Sequence, residues 1–261
     1  MGLALGSGGF RGLAHIGVLK VLVKEKIPID FLAGSSAGAI VAAYFAVHKE
    51  IESLERWVLG LKKVDLARLV DLTPPKEGLI KGERIHSLLE KLFEHKTFSQ
   101  LQIPLTILAT DLRTGEEVYL QRGSVAKAVL ASSTLPGALP PVRIGKGLLV
   151  DGGAVNPTPV DVVKKMGADV AIGVDLTMTG KVYLINPNIL EILLRSFDVL
   201  RSKTTKLATR KVGKDLVIIK PKINGTLNLL YYFDRREEII FAGEKAARQK
   251  LGKIRKMIGI D

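Results

Sequence analysis

Within its first 48 residues this chain passes twice from a strand-like run into a helix-like run through a turn marked by glycines. Leu3-Ala4-Leu5 leads into Gly6-Ser7-Gly8-Gly9-Phe10-Arg11-Gly12 and then a helix over Leu13 to Lys24. A second strand, Ile29 to Ala33, leads through Gly34-Ser35-Ser36-Ala37-Gly38 into a helix over Ser36 to His48. Strand, turn, helix, repeated, is the alternation of a parallel sheet with helices on its faces. The expected fold is therefore α/β, a three-layer α/β/α sandwich with a mostly parallel central sheet.

The later pattern agrees. Residues 52 to 95 carry Leu54, Trp57, Val58 and Leu61 at helical spacing, with a break at Thr73-Pro74-Pro75. Strand signals return at Leu105 to Ala109, Glu117 to Gln121, Leu148 to Val150, Val170 to Val174 and Leu216 to Ile219. Asn188 to Arg210 places Ile189, Leu190, Leu193, Leu194, Phe197 and Leu200 on one helical stripe, with Arg195, Arg201, Lys203 and Lys206 on the other face. A last helix is expected over Glu237 to Ile258. No linker, low-complexity tract or internal repeat interrupts the 261 residues, which predicts one domain over 1–261.

With no cysteine, disulfides, thiolate metal sites and cysteine nucleophiles are excluded. The net charge of +13 is uneven: residues 181 to 261 hold 18 Lys and Arg against 8 Asp and Glu. Such a surface suits an anionic membrane or plain solvation. The aromatic residues are too few and scattered for a base-stacking platform, so no nucleic-acid partner is expected. No basic leader precedes the first strand, and the Gly34 to Gly38 turn divides the uncharged stretch 31 to 48 into pieces too short to span a bilayer. The expected location is cytoplasmic, with peripheral membrane contact. Oligomeric state is not encoded legibly.

A serine with glycine two positions to either side, at a strand-to-helix junction, forms a nucleophile elbow. The turn is so sharp that side chains at Gly34 and Gly38 would strike neighbouring backbone, and the following helix aims its N–H groups and positive dipole end at the hydroxyl. The same residues also describe a buried helix start capped by Ser35 or Ser36. The earlier loop also has two readings. Gly6, Gly8 and Gly12 approach a dinucleotide fingerprint, but the third glycine falls one residue late, with Arg11 in its place. In an acyl-transfer site the Gly8 and Gly9 N–H groups would instead face a developing oxyanion, with Arg11 bracing the loop.

A serine nucleophile needs a base. The four histidines are His15, His48, His86 and His95, so a triad with a late histidine cannot be assembled. His15 reads as a packed, hydrogen-bonded residue, and the other three as surface positions on helices. The nine-residue spacing of His86 and His95 does not place two metal ligands on one helix face. An aspartate must serve, and Asp151-Gly152-Gly153 follows a strand, where open α/β sheets place their sites. Taken alone it reads as a plain aspartate-capped turn.

Gly8-Gly9-Phe10-Arg11-Gly12, Gly34-Ser35-Ser36-Ala37-Gly38 and Asp151-Gly152-Gly153, in that order and spacing, resemble the patatin-like phospholipases. Further phrases, such as Ala14-His15-Ile16-Gly17-Val18-Leu19, Ala109-Thr110-Asp111-Leu112, Ala131-Ser132-Ser133 and Asn156-Pro157, are similar to the small bacterial and archaeal branch related to the neuropathy target esterase catalytic domain. The resemblance covers roughly residues 2 to 178. It implies a serine acyl hydrolase acting on lipid esters, without metal or cofactor. Ser36 is then the nucleophile, Asp151 the base, and Gly8 and Gly9 the oxyanion hole supported by Arg11. Ser7 departs from the third consecutive glycine of many members. The alternatives are a transacylase with the same dyad, and a non-enzymatic basic binder. The helix 188 to 210 and the Trp57 region are the candidate lid or lipid-facing segments.

Overall fold

The computed structural model describes residues 1–71, 80–178, 189–223 and 229–260. In chain order, the first half contains β1 (Gly2–Leu5), α1 (Ala14–Lys24), β2 (Phe31–Ser35), α2 (Ala37–His48), α3 (Glu52–Gly60), α4 (Lys63–Arg68), α5 (Glu83–Leu92), β3 (Leu105–Asp111) and β4 (Glu117–Leu120). The second half contains α6 (Val125–Ser132), β5 (Val142–Ile144), β6 (Gly147–Asp151), α7 (Val160–Lys165), β7 (Ala171–Val174), α8 (Ile189–Val212), β8 (Leu216–Ile219), α9 (Leu229–Asp234), α10 (Arg236–Arg248) and α11 (Leu251–Ile258). The break expected at Thr73-Pro74-Pro75 lies outside the described residues, as does Asn188. The helix expected over Glu237 to Ile258 is divided in two at Gln249 and Lys250.

The strands form one sheet, hydrogen-bonded in the order β5-β6-β3-β2-β1-β7-β8, with β4 also paired to β3. From β3 to β8 the pairings along this path are parallel, while β4, β5 and β6 join antiparallel. Alternation along β1 shows why the sheet is covered twice. Leu3 and Leu5 enter a large apolar cluster with α1, α2, α6 and α10, whereas Ala4 points to a smaller cluster with Val160, Val162 and Val163 of α7. Small residues at Ala4 and Ala33 let α7 lie close on that side.

The register around β3 determines where chemistry can occur. Residues 107 and 108 of β3 face both β2 and β4, and residues 109 and 110 face both β4 and β6. Two strands cannot occupy one stretch of the same edge, so β4 takes one edge and β2 and β6 share the other. Because β6 runs antiparallel to β3, it meets β2 head to head: Ser35 lies opposite Leu108 and Asp151 opposite Ala109. Asp151 therefore lies at a strand end, as expected, but on a strand that arrives from the opposite direction to the parallel set.

Candidate active site

Ser36 sits between β2 and α2 with φ 55° and ψ −123°, a left-handed conformation that a residue with a side chain adopts only when its surroundings impose it. The surroundings are crowded. A Cβ at Gly38 would lie 2.0 Å from the Leu5 carbonyl oxygen, and one at Gly34 2.6 Å from Ala39 Cα. The Ser36 N–H donates to Ser132 Oγ at 2.9 Å, and Ser133 Oγ donates to the Ser36 carbonyl at 3.3 Å. Thus the end of α6 clamps both sides of the serine peptide.

The Ser36 hydroxyl donates to Asp151 Oδ2 at 2.7 Å, across 115 positions of sequence. The other carboxylate oxygen, Oδ1, accepts the Gly153 N–H at 2.7 Å, and Thr110 Oγ1 donates to the Asp151 carbonyl at 2.9 Å. Gly152 and Gly153 have no room for side chains: a Cβ on the first would lie 2.2 Å from the Leu108 carbonyl oxygen, and on the second 2.5 Å from Ser7 Oγ. Both members of the pair are buried, Ser36 at 7% exposure and Asp151 at 2%. A carboxylate shielded from water, with a hydroxyl in hydrogen-bond reach, can act as a proton acceptor for that hydroxyl.

The glycine loop lies against this elbow. Gly9 to Leu13 form a 3-10 turn, Gly9 with φ 55°, and a Cβ at Gly12 would lie 2.5 Å from Ala37 Cβ at the start of α2. Gly6 donates to the Val174 carbonyl and Ser7 to the Pro157 carbonyl, so Ser7 is accommodated as a buried loop residue. Among the described residues neither the Gly8 nor the Gly9 N–H finds an acceptor. Arg11 is buried and braces the loop, donating from Nε to the Gly8 carbonyl at 3.2 Å. Its guanidinium pairs with Asp198 at 2.8 Å.

None of the histidines approaches the serine–aspartate pair through a hydrogen bond. His15 is fully buried, its Nε2 2.6 Å from the Gly6 carbonyl, so it supports the glycine loop from beneath as a neutral ring. Burial pushes it down to about 4 against the opposing effect of that hydrogen bond. His48 bonds the Leu92 carbonyl, while His86 and His95 lie near Glu90. Asp111 is bound instead to Arg113, whose hydrogen bonds hold its carboxyl down to about 2.

Two side chains at the site come from α8, where sequence reasoning did not place them. Arg201 Nη2 lies 3.3 Å from Asp151 Oδ2, and Asp198, one turn earlier, takes Arg11. The sequence pattern sets Arg201 on the face opposite the apolar stripe, and the structure buries it. The available signal was an acid and a base three positions apart, which marks one helix face without saying which way it turns. The Trp57 region lies elsewhere, since α3 packs on α1 and α10.

The three motifs therefore occupy one buried cluster on a doubly covered sheet, and comparison with known proteins gives the cluster a family. Residues 3–164 match the model described as "Patatin: Patatin-like phospholipase". This chain belongs to the patatin-like phospholipase family. Relatives include two NTE family proteins of Mycobacterium tuberculosis. One is 37% identical over 67% of this chain and 48% of its own length, the other 32% identical over 96% of this chain and 46% of its own. Patatin-like phospholipase domain-containing protein 6 of Mus musculus is 33% identical over 67% of this chain and 13% of its own length. The chain spans about half the length of these mycobacterial relatives. The crystal structure of VipD from Legionella pneumophila shares the patatin fold, with a TM-score of 0.63, 14% identity and coverage of 97% of this chain and 66% of that one.

Proposed function

We propose that this patatin-like chain is a serine acyl hydrolase that cleaves carboxylic ester bonds of lipids, of phospholipase A, lysophospholipase or esterase type. The observation that carries the reading is the 2.7 Å hydrogen bond from Ser36 Oγ to the buried Asp151 carboxylate. In the first step Asp151 Oδ2 takes the hydroxyl proton as Oγ bonds to the ester carbonyl carbon, whose oxygen becomes an oxyanion. The N–H groups of Gly8 and Gly9, without an acceptor among the described residues, receive that charge, and Arg11 holds the loop in shape. The intermediate collapses, the carbon–oxygen bond to the alcohol breaks, and the leaving oxygen takes the proton from Asp151. Water then repeats the sequence: Asp151 removes its proton, hydroxide adds to the acyl-serine, and the fatty acid departs as Oγ regains a proton. These steps use only groups of the chain and water. Family membership supports the lipid class of substrate, and the basic last third supports approach to an anionic membrane surface.

A fluorophosphonate probe should label Ser36, and turnover of p-nitrophenyl esters should be lost in Ser36→Ala. Asp151→Asn keeps the shape of the carboxylate but accepts no proton, and should lower kcat by about a thousandfold with an unchanged circular dichroism spectrum. Near-normal turnover in Asp151→Asn would defeat the dyad.

A further inference from the structure

Helix α8 is amphipathic in the reverse of the usual sense. A helix that packs on a sheet turns its apolar stripe inward. Here, among the described side chains, the buried positions are Asp198, Arg201, Thr205 and Ala208, polar or ionised but for the alanine. Asp198 pairs with Arg11, Arg201 with Asp151, and Thr205 lies 3.4 Å from Thr158 Oγ1. The outward side carries Ile189, Ile192, Leu193, Val199, Leu200 and Leu207, with Leu193 and Leu200 each 61% exposed. Lys203, Lys206 and Arg210 stand exposed towards the same side, and among the described side chains of α8 every exposed charge is positive. The side chains of Leu190 and Leu194, which complete the expected stripe, lie outside the described set.

The inward pairs fall on the two parts of the proposed machinery. Arg201 Nη2 reaches Asp151 Oδ2, the same oxygen that accepts the Ser36 hydroxyl and that must take its proton. Arg201 is 9% exposed, and its Nε has no hydrogen-bond partner, so this guanidinium is incompletely satisfied. The Phe197 ring, 4.8 Å from Cζ and one turn earlier on the same helix, also supports it. Asp198 meanwhile occupies Arg11, which holds the Gly8 carbonyl. Arg201 thus sets α8 against Asp151, and both the serine and the aspartate are nearly closed off from solvent.

We propose that the outer face of α8 is a docking surface for an anionic lipid bilayer, and that the Arg11–Asp198 and Asp151–Arg201 pairs latch the site until that docking occurs. The inference rests on the hydrolase reading and adds its regulation. With Val212 still packed on the α7 cluster, the part of the helix held by ion pairs can lift because water solvates the released charges, whereas its outer leucines and isoleucines leave water by entering the lipid. The lysines and arginine beside them supply attraction to anionic headgroups. Lipid therefore binds the lifted state better than the latched one, which is the differential affinity that a shift between two states requires.

The cysteine-free chain allows one fluorophore to be placed at will. Leu193→Cys labelled with an environment-sensitive nitrobenzoxadiazole group should shift to the blue on phosphatidylglycerol vesicles, and much less on phosphatidylcholine vesicles or in high salt. The same label at Gln249→Cys, at the end of α10, should not respond. Arg201→Ala and, independently, Asp198→Asn in the labelled background should lower the lipid concentration for half-maximal shift several-fold, because less must be broken to lift the helix. In the unlabelled chain, vesicles should raise the rate of fluorophosphonate reaction at Ser36 several-fold, and Arg201→Ala should raise that rate without vesicles.

A label at residue 193 that is blind to phosphatidylglycerol, or that responds equally to neutral lipid, would overturn the docking surface. A parallel fall in the Ser36 reaction rate of Arg201→Ala with and without vesicles would overturn the latch and make Arg201 a positioning residue for Asp151. Failure of the hydrolase reading looks different: Ser36 stays unlabelled under every condition, while the residue 193 response and its dependence on Arg201 still decide the docking.

Discussion

At the scale of single residues, Ser36 and His15 show how far a local pattern reaches. The glycines around Ser36 announce a sharp turn, and the observed φ of 55° is the strain that such a turn imposes, worth about 1–3 kcal/mol. The clamps from Ser132 and Ser133 that sustain it leave no trace in the elbow itself, because they come from the end of α6. His15 is legible as a packed histidine, but its acceptor, the Gly6 carbonyl, belongs to the glycine loop and ties the loop to pH. Its folded value of about 4 lies below the ordinary 6.5, so as pH falls the unfolded chain takes the proton first. The stabilisation is whole above about pH 6.5 and is lost as pH drops towards 4, a change of about 3 kcal/mol for this group. Urea midpoints measured at pH 7 and 4.5 should show that loss, and His15→Gln, which keeps a donor for the Gly6 carbonyl, should lessen it. An unaltered pH slope in the variant would assign the loss to other groups.

At the scale of elements, α2 and α8 teach opposite lessons. The start of α2 was readable because the glycine spacing is local, Gly34 and Gly38 each lying two residues from Ser36, even though Gly38 abuts Leu5 and Gly6 of a distant segment. Gly38→Ala forces a methyl group into the Leu5 carbonyl of β1 and should cost at least about 3 kcal/mol, near the top of the overpacking range. Gly60→Ala, at the open end of α3, meets nothing within 4 Å and should be tolerated; thermal melting of the two variants compares them directly. For α8 the periodicity correctly gave a helix with two unlike faces, since Ile189–Val212 is one continuous element. Periodicity does not say which face turns inward, and a lipid-facing stripe and a sheet-packed stripe fit it equally. Buried ionic partners, Arg11 and Asp151, draw Asp198 and Arg201 inward.

At the scale of the whole molecule, the family match ends at residue 164, but packing continues to the C-terminal helices. Helix α10 lies so close to α1 that a Cβ at Gly17 would be 1.9 Å from the Ile240 carbonyl oxygen, and one at Gly243 2.0 Å from that of Ala14. β8 pairs with β7 and gives the parallel set its last strand. We therefore expect residues 1–178 expressed alone to lack a cooperative thermal transition and to bind hydrophobic dye. A soluble fragment with a sharp transition would show instead that the basic last third is a separate unit.

Sequence alone determined the alternation of strands and helices and the two glycine turns, and the lack of any late histidine pointed to an aspartate as the base proposed for the serine. These follow from short windows, where periodicity, glycine spacing and the inventory of ionisable groups act locally. Tertiary structure alone decided that β2 and β6 meet head to head on one edge of β3, bringing Ser36 to Asp151, and that α8 turns Asp198 and Arg201 towards Arg11 and Asp151. Strand register and the direction of a helix face are set by partners 40 or more positions away, through contacts that no window of local sequence contains.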